Sequence, residues 1–232
     1  WVSNICFNHV RNELMKKIVM AGALAAAVTV GLVAAPKAEA SSAKYTIIHY
    51  RTVKKYKHGM KATFSYQLPQ LKGKSAAVKK INKDIKKSLV AEKKNAKQLF
   101  NYAKDDANNG FKNLSYYDAT TAKITYNKNG VISFRYDQAL NDGSGTFLIG
   151  SWTYSLKTGK KLTVFDVAEG DKSSVCAQLY YGAVDLGADD EYLRTTHASK
   201  MNYTLKGGKV YVYPRIAAAY NSKYFVIPSR YK

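Results

Sequence analysis

The chain has 232 residues and carries 37 Lys and Arg against 16 Asp and Glu, a net charge of +21. That length suits one compact domain or two small lobes sharing a core. The charge excess favours a polyanion or an anionic surface as partner, with lysines that simply keep the domain soluble as an equal alternative, and two cysteines are too few for a disulfide framework.

Residues 1–14, WVSNICFNHVRNEL, follow no strand or helix period, and Met15 reads as the natural start. Lys16 and Lys17 form a charged n-region, Met20 to Ala35 an apolar core, and Ala38-Glu39-Ala40 a small-x-small cleavage pattern. Residues 15–40 are therefore expected to be an export signal. The alternative, a membrane anchor, is disfavoured because the apolar run is short for a bilayer and ends in that pattern. No Cys follows it, so a lipid anchor is not expected. Cleavage after Ala40 leaves a chain starting at Ser41 with 33 basic and 14 acidic residues, a net charge of +19. Outside a bacterial membrane the anions on offer are wall polymers, lipid head groups and acidic proteins, so nucleic acid is not the expected partner. Only Cys176 survives processing, which predicts a small buried apolar residue without an internal disulfide.

Tyr45 to Arg51 is β-branched and aromatic and reads as a first strand, with a basic turn at Lys54 to His58. Ala62, Phe64, Tyr66 and Leu68 alternate with polar residues as a second, half-buried strand, ended by Pro69 and Gly73. From Ser75 to Ala107 the period changes. Val78, Ile81, Ile85, Leu89, Ala96, Leu99 and Ala103 recur at three- and four-residue steps, predicting one long amphipathic helix. Its other side carries Lys79, Lys80, Lys83, Lys86, Lys87, Lys93, Lys94 and Lys97, and Asn108-Asn109-Gly110 stops it. Glu92 lands on the apolar stripe, predicting a bend or a carboxylate reaching the rim. Tyr116 to Tyr126 and Val131 to Tyr136 read as strands joined across Asn127-Lys128-Asn129-Gly130, a strong hairpin signal. Thr146 to Leu156 and Lys161 to Val164 are expected to pair, completing an antiparallel meander. Lys172 to Gly182 reads as a short second helix, Met201 to Leu205 and Val210 to Tyr213 as a hairpin over Gly207-Gly208, and Tyr224 to Ile227 as a last strand.

Catalytic motifs are missing from this pattern. His49, His58 and His197 lack second ligands at metal-binding spacing, and Asp189-Asp190-Glu191 lacks the alternation of a calcium loop. Gly143-Ser144-Gly145 is not a nucleophile elbow, and nothing fixes the separation of Asp137 and Asp142. Tyrosine is abundant, at 19 residues. Tyr116, Tyr117, Tyr180, Tyr181, Tyr211, Tyr213, Tyr220 and Tyr224 would suit a sugar- or peptide-binding face, although Tyr is also an ordinary strand residue with a wet hydroxyl.

The order of short motifs resembles a known family. Tyr66-Gln67-Leu68-Pro69-Gln70-Leu71 is followed by the Val78 to Lys87 run, then Ile124 to Phe134, and Leu156-Lys157-Thr158-Gly159-Lys160-Lys161-Leu162-Thr163 with Asp166-Val167. Pro214 and Phe225-Val226-Ile227-Pro228 close the series. Over Tyr45 to Pro228 the chain resembles the extracellular domain family of unknown function found in the lysozyme-sensing anti-sigma factor RsiV and beside the catalytic domain of the deacetylase PdaC. That resemblance implies an α+β fold with a long helix across antiparallel sheet, and a binding or accessory module rather than a catalyst. Departures occur at Asp142 to Thr146, which lacks the family's His, and at Pro214 to Tyr220, which lacks an acid and a Pro. Lysozyme is itself basic and would be repelled by this domain, so lysozyme binding is not carried over.

The expectation is thus a single secreted α+β domain over 41–232, with a strand-helix part at 41–115 and a sheet-rich part at 116–232. An antiparallel sheet would pack against one long helix plus a short one. The expected function is a non-catalytic envelope module, without cofactor or metal, that holds an anionic cell-wall polymer or an envelope protein. Lys79, Lys83, Lys86, Lys87 and Lys94 are the candidate anion contacts; Tyr211, Tyr213, Tyr220 and Tyr224 are the candidate aromatic face. The alternatives are a cell-envelope hydrolase and an inhibitor- or sensor-type module. No subunit number follows from the pattern.

Overall fold

The computed structural model describes residues 42–141, 146–188, 193, 196–214 and 223–232. The expected export signal and residues 1–14 lie outside them. Two strands, β1 (Tyr45–Lys55) and β2 (Lys61–Leu71), form a hairpin that leads into helix α1 (Ala76–Asn108). Strands β3 (Ser115–Lys128), β4 (Val131–Asn141) and β5 (Thr146–Ser155) follow, then the single-turn α2 (Val164–Val167) and α3 (Lys172–Asp185). A second hairpin, β6 (Asn202–Lys206) and β7 (Lys209–Tyr213), and β8 (Phe225–Pro228) complete the chain. The first five strands make one sheet in sequence order and the last three another, so the fold is α+β.

α1 starts where the sequence places it. Ser75 is extended and its hydroxyl accepts from the Val78 N–H at 3.2 Å, an N-cap that satisfies an otherwise orphan donor. Ile81, Ile85, Leu89, Ala96, Leu99 and Ala103 are buried against the sheet. The helix runs unbroken to Asn108, with Gly110 beyond it at φ +86°.

The large sheet is mixed rather than wholly antiparallel. β2 and β3 pair in parallel, Lys61 opposite Ser115, because α1 carries the chain back to the end of the sheet where β2 began. The other pairs are antiparallel, and β3 and β4 turn over Asn129 and Gly130, both at positive φ, as the Asn-Gly signal requires. The expected strand at Lys161 to Val164 shrinks to one bridge between Tyr154 and Lys161. There the Asp166 carboxylate accepts from the Thr163 N–H and hydroxyl at 2.7 and 2.8 Å, which starts α2 instead.

α1 covers one face of the sheet, where Phe64, Tyr66, Ile132, Phe134, Tyr136 and Tyr154 join its apolar stripe. A bulge between Ile124 and Tyr126 turns Tyr126 to the opposite face, into a second core with Val131, Leu179, Leu205 and Val210. Here β6 lies on the sheet through side chains. The Tyr203 N–H donates to Ser151 Oγ at 2.8 Å and the Leu205 N–H to Ser133 Oγ at 3.2 Å, while Ser133 and Thr153 bond each other at 2.9 Å. The Phe225 ring of β8 packs directly on the α3 backbone at Gly182, where a Cβ would stand 2.3 Å from it. Cys176 is buried on α3, as expected. Among the described residues no helix is long and apolar enough to cross a membrane.

Candidate functional site

The candidate lysines are all exposed on α1, opposite its buried stripe. Lys79, Lys83, Lys86, Lys94 and Lys97 fall at three-, four- and eight-residue steps and form one row, with exposed Val90 filling the gap. At 1.5 Å per residue the row spans about 27 Å. Among the described residues only Lys87 of this helix has a carboxylate within 4 Å, Asp84 at 3.5 Å. Lys93 turns aside over the Tyr50 ring, 4.6 Å from its centroid. The acids Asp84 and Glu92 face the sheet instead: Tyr154 OH donates to Asp84 at 2.9 Å.

Three of the four candidate tyrosines come together. The Tyr224 ring lies 5.1 Å from Tyr211 and 5.9 Å from Tyr213. Tyr213 is buried under the Arg135 guanidinium, which donates to its hydroxyl at 3.2 Å and is held by Asp137 at 2.6 Å. Tyr224 is 47% exposed, so the cluster offers one free ring rather than a broad aromatic face. Tyr220 lies outside the described residues, as do Asp142 and Asp189-Asp190-Glu191.

A cleft that sequence reasoning missed opens between the C-terminal half of α1 and the inner face of β3, β4 and β5. Two adjoining cavities, of about 320 and 230 Å³, share Glu92, Gln138 and Leu148. The β3 parity that buries Tyr116 and Ala122 also buries Asp118 and Thr120, and Gln138 stands opposite Thr120 on β4. Gln138 Nε2 donates to Asp118 at 2.9 Å and to Glu92 at 3.3 Å, and Asn95 donates to the same Glu92 oxygen at 3.3 Å. Burial pushes the Asp118 carboxyl up to about 6, against the Gln138 hydrogen bond and with the help of the Glu92 charge. At the other end Tyr66 shares a 2.8 Å hydrogen bond with Ser88, and Trp152 lies 4.8 Å from the Tyr136 ring. Burial also pushes the Tyr136 phenol well above its ordinary range.

Glu92 on the apolar stripe was a legible signal and its carboxylate does reach the rim. Asp118 was missed, although an acid at the same strand parity as buried Tyr116 and Ala122 is a signal the sequence carries. His49 on β1, His58 in the turn before β2 and His197 after α3 stay on separate elements. Among the described residues no three acidic, His or Cys side chains gather as metal ligands would.

With this geometry, residues 37–144 match the family model described as "Deacetylase PdaC". The fold is similar to that of a DUF3298 family member from Bacteroides fragilis, at 13% identity and a TM-score of 0.55, covering 82% of this chain and 91% of that one. It is similar also to a DUF3298 family protein from Pseudomonas aeruginosa, at 12% identity and a TM-score of 0.52, covering 81% and 90%. At such identities the likeness concerns the fold alone. No curated protein matches the chain.

Proposed function

We propose that this chain, a PdaC-type domain over residues 37–144 with the DUF3298 fold, is an extracytoplasmic, non-catalytic module that holds an anionic polymer of the bacterial cell envelope. The observation that carries this reading is the lysine row on α1. Like charges at three- and four-residue steps each cost a helix roughly 0.2–0.5 kcal/mol. A surface that needs only solubility is better served by mixed signs. Among the described residues Lys79, Lys83, Lys86 and Lys94 instead have no carboxylate partner along about 22 Å, a length that suits repeated anionic groups on an extended chain. The deacetylase in the family description fits a place beside a catalytic domain, as the sequence resemblance implies, with this domain holding the wall.

The test is co-sedimentation with purified sacculi, with and without their anionic polymers, at low and high salt. Retention should need the anionic polymer, fall as salt screens the charges, and be lost in the Lys79→Gln, Lys83→Gln, Lys86→Gln, Lys94→Gln variant. Retention that ignores salt, or that survives in the variant, overturns the reading. A single salt-resistant protein partner would favour the inhibitor- or sensor-type alternative and turn attention to Tyr224 and its neighbours.

A further inference from the structure

We infer that the cleft beneath the C-terminal half of α1 is a second binding site, for an amino sugar: a hydroxyl-bearing ring that carries a protonated amine. The site shares no residue with the lysine row and is independent of the function proposed above.

Four observations converge on it. Thr120 and Tyr136 are each 95% buried and line the cleft, and among the described residues their hydroxyls have no hydrogen-bond partner. A buried polar group left unpaired costs about 1–3 kcal/mol, so such groups are normally met by water or ligand. The second observation is charge. In a chain of net charge +21, the described lining of both cavities holds two carboxylates, Glu92 and Asp118, and no Lys, Arg or His. Third, Gln138 uses one N–H group pair on both acids, fixing them at the same end of the cleft. Finally, Gly150 stands opposite Tyr136 on β5 and its backbone needs no glycine. A Cβ there would meet only Tyr136 Cβ, at 3.8 Å, so what its missing side chain supplies is open space.

These features select a ligand class. An ammonium group answers the two carboxylates, and ring hydroxyls answer Thr120 and Tyr136. A neutral sugar would leave the acids uncompensated, and a lysine side chain would leave the hydroxyls unpaired. The two adjoining cavities, about 320 Å³ around Asp118 and about 230 Å³ around Thr120 and Tyr136, are each at or below the small end for ligand sites, so the cleft fits a small sugar lying across both rather than a long chain. The same geometry argues for binding rather than hydrolysis, because the Gln138 nitrogen occupies the space between the carboxylates where a scissile bond would have to lie.

The test is titration of the full chain with glucosamine, N-acetylglucosamine and glucose, and with short oligomers of the first two, followed by amide chemical shifts at pH 7.5. Glucosamine or its oligomer should bind at least tenfold more tightly than the acetylated form, with shifts at Asp118, Gln138 and Gly150. Glu92→Gln at the cleft rim should weaken this binding about tenfold, and Gly150→Leu should abolish it. The four-lysine variant should leave it unchanged, which keeps the two sites distinguishable. Equal binding of the acetylated and free amines, no binding of any of these sugars at millimolar concentration, or stronger competition by a lysine peptide overturns the assignment. Release of reducing ends from the glucosamine oligomer would make the carboxylates catalytic and overturn it as well.

Discussion

Replacing Asp118 by Asn tests the electrostatics of the cleft. The Asp118 side chain is 2% exposed, and its carboxyl is shifted from 3.8 to about 6 chiefly by burial. A folded-state value above the unfolded one means the native state binds the proton more tightly. The stability this group contributes is therefore fully present below about pH 4 and is lost as pH rises through about 6. Between those limits the slope is about −1.4 kcal/mol per pH unit for one proton, so roughly two units give about 3 kcal/mol. Asn is neutral at every pH and keeps an oxygen for the Gln138 N–H. In denaturant titrations at pH 4, 5, 6 and 7.5, Asp118→Asn should gain on the wild type by about 3 kcal/mol across the series. In thermal melts the gap should widen by about 6–12 °C for a chain of this size. A stability difference that stays constant with pH, or that narrows as pH rises, would refute the reasoning.

Gly159 sits at φ +67°, and a Cβ there would lie 2.8 Å from the Ala77 carbonyl in the first turn of α1. Gly159→Ala should lower stability by roughly 1–3 kcal/mol, read as a lower denaturation midpoint at unchanged slope. Ser133→Ala removes the acceptor of the Leu205 N–H and the partner of Thr153 in a fully buried place; a loss of about 1–3 kcal/mol is expected by urea unfolding, and an effect below 0.5 kcal/mol would mean that β6 does not depend on that bond. Gly182→Ala should cost roughly 1–3 kcal/mol by overpacking the Phe225 ring, and combining it with Phe225→Ala should recover part of that loss in a double-mutant cycle. The four-lysine variant should unfold at or slightly above the wild-type midpoint, because it removes only like-charge neighbours on an exposed face.

Local chemistry made much of the fold legible. The apolar period over Ser75 to Ala107 and the cap at Ser75 specify α1 within a residue, and Asn129-Gly130 specifies the β3–β4 turn. β1 runs four residues past the expected Arg51 because Lys54 and Lys55 are exposed on an edge strand, where burial periodicity carries no signal. The parallel pairing of β2 with β3 was not legible, since partner choice depends on how α1 lies across the sheet. The cleft failed for the same reason. Glu92, Asp118 and Gln138 are 26 and 20 residues apart, and only the β3–β4 register and the docked helix bring them to one Gln138 nitrogen. The lysine row, a purely local pattern, was readable throughout.

The parallel β2–β3 pair also sets the order in which the chain can reach its native state. β1 with β2, and β3 with β4 and β5, are hairpins that close over short loops. Joining them requires Lys61 to meet Ser115, 54 residues away, and loop-closure entropy must be met before that contact stabilises anything. α1 shortens the search, because a helix formed early turns a flexible connection into a strut whose apolar side finds both hairpins at once. Refolding should therefore slow markedly when Ile81 or Ile85 is trimmed to Ala, while truncations in the second core, such as Leu205→Ala, should act mainly by speeding unfolding.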